Sequence, residues 1–192
     1  MTLPMPLPIV ESKPQTEQIF VDVSHLEPII RFLAEGRSSI NRSQQVRDRK
    51  VGAQSGMETD IRGISAELAF CMHYNVWPDM ELKPRSGGHD CVYKGVELDI
   101  KGAPPRGNLL AERTKTPVRG LAYVLCVGRD FQYRIVGWCW SLELIRIENL
   151  KYWDENKRDW IHVSQGQPTG RYKPSYMLSQ HKLRKMSDLG KS

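Results

Sequence analysis

The chain has 192 residues, 40% hydrophobic and 26% charged, so it is long enough to bury one substantial core and too apolar to be disordered throughout. Its 28 Lys and Arg against 22 Asp and Glu leave a net charge of +6, an excess that favours a polyanionic partner. No run approaches the roughly 18 apolar residues that cross a bilayer, so no membrane partner is expected, and Cys71, Cys91, Cys126 and Cys139 form no CxxC or CxxH pair and read as reduced packing thiols of a cytoplasmic protein.

Residues 1–20 carry Pro4, Pro6, Pro8 and Pro14 and read as an extended arm. The rest, 21–192, reads as a single domain with a helical part over 21–56, a core over 57–140 and C-terminal loop and closing elements over 141–192. Pro28 and Gly36 bracket a short helix whose buried side is Ile29, Ile30, Phe32 and Leu33. The following SSINRSQQVRDRKVG has only Ile40, Val46 and Val51 as apolar anchors and predicts a solvated helix carrying Arg42, Arg47, Arg49 and Lys50. From Met57 to Asn75, Ile61, Ile64, Leu68, Cys71 and Met72 recur at helical steps.

Beyond Trp77-Pro78 the pattern turns β-like. CVY (91–93) and VELDI (96–100) flank Lys94-Gly95, and LAYVLCV (121–127) and FQYRIVGW (131–138) flank Arg129-Asp130, which predicts two hairpins. Residues 102–120 hold at most a short helix around 108–115. SLELIRI (141–147) fits a helix or a strand, 148–175 read as loop, and a strand near 176–178 and a helix over 180–189 close the domain.

The chemistry concentrates in GGHDCVYKGVELDIKG, residues 87–102. Alternation sends Val96, Leu98 and Ile100 to one face of a strand and Glu97, Asp99 and Lys101 to the other. A turn at Lys94-Gly95 then sets Asp90 directly across from Asp99, with Cβ atoms roughly 5 Å apart. Two carboxylates so placed repel unless a cation lies between them, and a hard divalent ion such as Mg²⁺, with Mn²⁺ as substitute, suits an oxygen-only pair. Lys101 lies on the same face, within reach of a metal-bound water or a phosphate oxygen.

Asp90 followed by Asp99-Ile100-Lys101 resembles the signature of the PD-(D/E)xK nuclease superfamily. The helix RGISAELAFCMHYN adds Glu67 in a G-x-x-x-E-x-x-A context similar to members that contribute a helical glutamate, with Gly63 on the same face to let the helix approach the sheet. The resemblance implies an α/β, restriction-endonuclease-like mixed sheet with flanking helices and an N-terminal helical extension. It implies an Mg²⁺-dependent DNA nuclease with Glu67, Asp90, Asp99 and Lys101 as catalytic residues. The metal would be held by Glu67, Asp90, Asp99 and the Ile100 carbonyl. DNA would be met by Arg106, Arg113, Lys115 and Arg119, which follow the acid-x-Lys strand. Pro78-Asp79 is a second position for the first acid, but it has no predicted pairing with Asp99.

Each of these residues also has an ordinary structural explanation: a wet-side Asp-Lys pair on a surface hairpin, an exposed helical glutamate, a solvated basic loop. Glu97 reads as a pairing residue, His89 as a turn residue, and Trp138 and Trp140 as core anchors. A structure-selective junction resolvase, or a non-catalytic DNA-binding protein retaining the fold, are the alternative functions. The sequence leaves the oligomeric state open, a homodimer included.

Overall fold

The computed structural model describes residues 20–43, 56–80, 88–166 and 173–191. The proline-rich arm up to residue 19 and the basic positions Arg47, Arg49 and Lys50 lie outside the described residues. A short β1 (Val21–Asp22) leads through a 3₁₀ turn into α1 (Glu27–Ser43). Pro28 sits in its first turn, where its missing N–H costs nothing, but Gly36 does not end the helix. With the helix running on, its core stripe is Ile30, Leu33 and Ala34, and half-buried Arg37 continues the same face at steps of three and four. Ile29 and Phe32, expected on the buried side, face outward at 47% and 67% exposure.

α2 (Gly56–Tyr74) is the periodic helix read from the sequence. Ile64, Leu68 and Cys71 are buried as expected, while Met72 is exposed because Ala66, Ala69 and Phe70 widen the stripe on its other side. Phe70 packs on Tyr74 and on Tyr93 of the sheet, with ring centroids 4.7 and 6.1 Å apart.

β2 (Cys91–Tyr93) and β3 (Val96–Ala103) form the first hairpin. Lys94 and Gly95 both have left-handed backbone, φ 52° and 75°, the sign that a tight two-residue hairpin turn demands. β5 (Leu121–Arg129) and β6 (Gln132–Trp140) form the second, with its turn one position later than predicted. Arg129 pairs with Gln132, and Asp130-Phe131 take the left-handed turn conformation.

The larger sheet runs β1-β6-β5-β3-β2, with β3 and β5 parallel and the other pairs antiparallel. Both helices cover one face, where Ile30, Ile64 and Phe70 share a core with Leu98, Ile100, Val124 and Trp138. The opposite face buries Leu121, Tyr123 and Leu125 with Leu109, Leu144 and Ile145. Trp138 is buried and its indole N–H donates to the Lys185 carbonyl at 2.9 Å, while Trp140 meets it edge-on.

The short helix expected around 108–115 is instead β4 (Leu109–Glu112), in which Leu109 and Ala111 are buried and Leu110 and Glu112 are not, a period of two. β4 leaves for a second sheet of order β4-β9-β7-β8, with β7 (Leu150–Asp154) and β8 (Asp159–His162) lying where a loop was expected and β9 (Ser175–Leu178) where a strand was. The cross-strand pair Trp153 and Trp160, rings 5.9 Å apart, shows what the aromatic residues of that stretch are for. Between the sheets, Ser141–Leu144 form a single helical turn, α3. The predicted final helix is two 3₁₀ turns, because Arg184 between them exchanges backbone hydrogen bonds with Trp138 and holds the chain extended. The architecture is thus α/β with a mixed sheet and helices on one face, plus a second sheet that the sequence reading lacked. No helix among the described residues is long and apolar enough to cross a membrane.

Candidate active site

The β2–β3 ladder ends at Cys91 with Leu98, so Asp90 lies one residue beyond it and does not form the direct pair with Asp99 that the turn predicts, though it stays near that acid. The Asp90 N–H donates to the Leu98 carbonyl at 2.7 Å, and its Oδ2 accepts from the Ile100 N–H at 2.6 Å. The carboxylate therefore takes the place of a main-chain acceptor at the end of the ladder, which fixes where it sits. Pro78-Asp79, for which no pairing was predicted, is joined to the same residue: the Asp79 N–H donates to the Asp90 carbonyl at 2.8 Å.

Alternation along β3 holds. Leu98 and Ile100 enter the helix-side core, while Asp99 and Lys101 lie on the face of Tyr123, the β5 residue in register with Asp99. Asp99 is only 4% exposed. Its Oδ1 finds no well-directed hydrogen-bond donor among the described residues and meets Lys101 Nζ as an ion pair at 2.5 Å. Its Oδ2 lies 3.6 Å from Lys115 Nζ. Lys115 thus turns inward to the acid, whereas Arg106, Arg113 and Arg119, read with it as one phosphate-contacting group, are exposed.

Glu67 projects from α2, and Arg37 of α1 grips both its oxygens at 3.1 and 3.0 Å. The sequence reading missed Arg37 because it stopped the helix at Gly36. The spacing from Ile30 through Leu33 and Ala34 to Arg37 is the signal that would have found it. Gly63 does not mediate the close approach expected of it, since a Cβ there would meet only the Glu67 carboxylate at 4.0 Å. The approach comes from the sheet: a Cβ on Gly102 would lie 2.7 Å from the Arg62 carbonyl and 3.0 Å from the Ala66 Cβ, so α2 rests directly on the β3 backbone. Glu97 stays at the surface with His89 Nδ1 3.7 Å away.

Burial, then the charges of Glu67 and Asp99, push the Asp90 carboxyl up to about 8, against the opposing pull of Lys101 and the Ile100 N–H. Burial works against the Lys101 charge, but Asp99 and then Asp90 outweigh it and hold the ammonium above its usual range. Arg37 is likewise held protonated by Glu67 against the cost of burial. Tyr123 is pushed up to about 12 by burial and by Asp99. Arg37 and Glu67 thus pair on the helix side, Asp99 meets Lys101 and Lys115 on the opposite face, and Asp90 feels the charges of both Glu67 and Asp99.

Among the described residues no three His, Cys, Asp or Glu side chains converge as a ready metal cage. An ion here would have Asp90 and Asp99 as its carboxylates, with Glu67 free to join only by leaving Arg37. Mg²⁺ is usually bound through one or two carboxylates with waters completing its shell. The oxygen-only donors and the buried Asp99 Oδ1 without a hydrogen bond fit such an ion, provided Lys101 moves off Asp99. The Ile100 side chain belongs to the core, so only its main chain is available at the site.

No family model matches the chain, and neither a curated protein nor a solved structure matches it.

Proposed function

We propose that the protein is a divalent-metal-dependent nuclease that hydrolyses DNA phosphodiester bonds, with a restriction-endonuclease-like core formed by α2, the β2–β3 hairpin and β5. The observation that carries this reading is buried Asp99 with the Lys101 ammonium 2.5 Å away on the same strand face, and Asp90 close enough for the charges of the two acids to act on each other. Repulsion between a buried acid and a half-buried neighbour is costly to keep unless it serves a cation. Asp90, Asp99 and the Ile100 carbonyl would hold Mg²⁺, with Glu67 as a further ligand. When bound, the ion polarises the scissile phosphate and acidifies the attacking water.

Lys101 is kept as an ammonium by its two acidic neighbours, which makes it a donor and not a base. Released from Asp99, it hydrogen-bonds a phosphate or water oxygen and stabilises charge as it develops. Asp99, 4% exposed, offers its carboxylate from a water-poor wall. The exposed Arg106, Arg113 and Arg119 supply counterion-releasing contacts to the backbone. A second reading, a non-catalytic DNA-binding protein, is favoured by one observation: Glu67 already pairs with Arg37, and Asp99 with Lys101 and Lys115, so two of the three acids have cations without metal.

Calorimetric titration with Mn²⁺, run beside cleavage of linear, nicked, branched and single-stranded DNA in Mg²⁺, separates the two. The nuclease reading expects one saturable metal site and cleavage, both lost in Asp99→Asn. DNA binding without cleavage would establish the second reading and overturn the first, and equal metal binding by both proteins would overturn the first.

A further inference from the structure

We infer that Trp77 is a stacking platform for an unpaired nucleobase of the strand held at Asp90 and Asp99; this rests on the nuclease reading and narrows its substrate to nucleic acid with an unpaired base beside the scissile phosphate. Trp77 is 85% exposed, more than any other large apolar side chain described. An indole is ordinarily among the most buried side chains, and stacking on a base uses the same apolar face that a core would.

Its backbone is nevertheless fixed. The Val76 N–H donates to the Cys71 carbonyl at 2.9 Å, and the Asp79 N–H donates to the Asp90 carbonyl at 2.8 Å. Pro78 confines Trp77 itself to extended backbone. The indole is therefore presented by a segment tied at both ends, two residues from a main-chain hydrogen bond to a proposed metal ligand.

Trp77, Pro78, Met80 and Val92 line an open cavity of about 820 Å³ that also includes Asp79, His89 and Asp90. Met80 and Val92 are themselves 37% and 48% exposed. One cavity thus combines an apolar wall with two acidic residues, one of them the proposed metal ligand Asp90. A second copy of this chain docked there would bury Asp90 against apolar surface, which is costly without a partner for it. A nucleotide brings a flat apolar base for the indole and a metal-bridged phosphate for the acid. A base inside a duplex already has both faces stacked, so the site selects a frayed, looped or single-stranded one.

The test uses the full chain with Ca²⁺ in place of Mg²⁺, fluorescein-labelled oligo-dT and a blunt duplex, and anisotropy titrations over several salt concentrations. Trp77→Ala is expected to weaken oligo-dT binding about tenfold or more while changing duplex affinity little, with Trp77→Phe restoring most of the loss. The slope of log affinity against log salt should not change, because the indole releases no counterions. Equal oligo-dT affinity in wild type and Trp77→Ala overturns the inference. So does a Trp77→Ala protein whose only change is a shift from dimer to monomer in sedimentation, which would make the patch a contact between copies. If wild type cleaves and Trp77→Ala behaves identically, the stacking inference alone falls; if wild type binds neither metal nor DNA, the nuclease reading falls with it.

Discussion

Asp90 and Ile100 are joined across the first hairpin by a 2.6 Å hydrogen bond from the Ile100 main chain to Asp90 Oδ2. That bond holds an acid near Asp99 and Glu67 whose charge the fold does not fully compensate.

The folded Asp90 pKa, about 8, lies above its ordinary 3.8, so the native state binds this proton more tightly than the unfolded chain does. Its contribution to stability is greatest below about pH 4 and is lost progressively as the pH rises to about 8. Asp90→Asn keeps an acceptor for the Ile100 N–H and removes the repulsion. Without metal it should raise stability at pH 8 by about 1–3 kcal/mol, partial exposure screening the rest. For a chain of this length that is roughly 2–12 °C in Tm. At pH 4 the two proteins should melt together, and thermal scans at both values check the sign. An Asn variant no more stable than wild type at pH 8 would mean that Asp90 is already neutralised there.

Lys101 is the residue on which chemistry and structure make separable forecasts. Lys101→Met should cut single-turnover cleavage by about 10²- to 10³-fold, the usual loss for one charge-stabilising donor. It should also cost about 1–3 kcal/mol, because Asp99 Oδ1 loses its cation while Lys115 stays near Oδ2. Rates and melting are measured on the same preparation. A destabilised variant with an unaltered rate would leave Lys101 as Asp99's structural partner only.

Gly102 and Gly63 form a matched pair of positions with opposite forecasts. Gly102→Ala drives a Cβ into the Arg62 carbonyl and the Ala66 methyl, so it should cost about 1–3 kcal/mol and weaken Mn²⁺ binding by lifting Glu67 away from the sheet. Gly63→Ala meets no backbone and removes a flexible residue from mid-helix, so it should stabilise by about 0.5–1 kcal/mol. Denaturant melts of both variants decide which face carries the close contact.

What could be read from the sequence was whatever is fixed by short-range geometry. The two-residue turn at Lys94-Gly95 fixes the register as far as Cys91 and Leu98, which leaves Asp90 near Asp99 although not paired with it, and strand alternation then forces Asp99 and Lys101 onto one face. The α2 stripe was legible for the same reason, a repeating period within one element. Contacts that depend on distant segments were not. Arg37 reaches Glu67 from another helix, Lys115 reaches Asp99 from a loop, and Asp79 reaches Asp90 across a gap of eleven positions. The second sheet was missed because β4 finds its partner 69 positions further along, and nothing local in LLAE distinguishes a strand from a turn of helix.

That long closure sets an order of assembly. The Asp90–Asp99 hairpin needs only neighbouring residues, and loop closure over so short a span is fast. β4 must find β9 across most of the rest of the chain, so the second sheet closes over a far longer loop than the hairpin does. The charge balance of Asp99 is divided in the same way: Lys101 is supplied two residues along its own strand, and Lys115 by the segment that leads away to the second sheet.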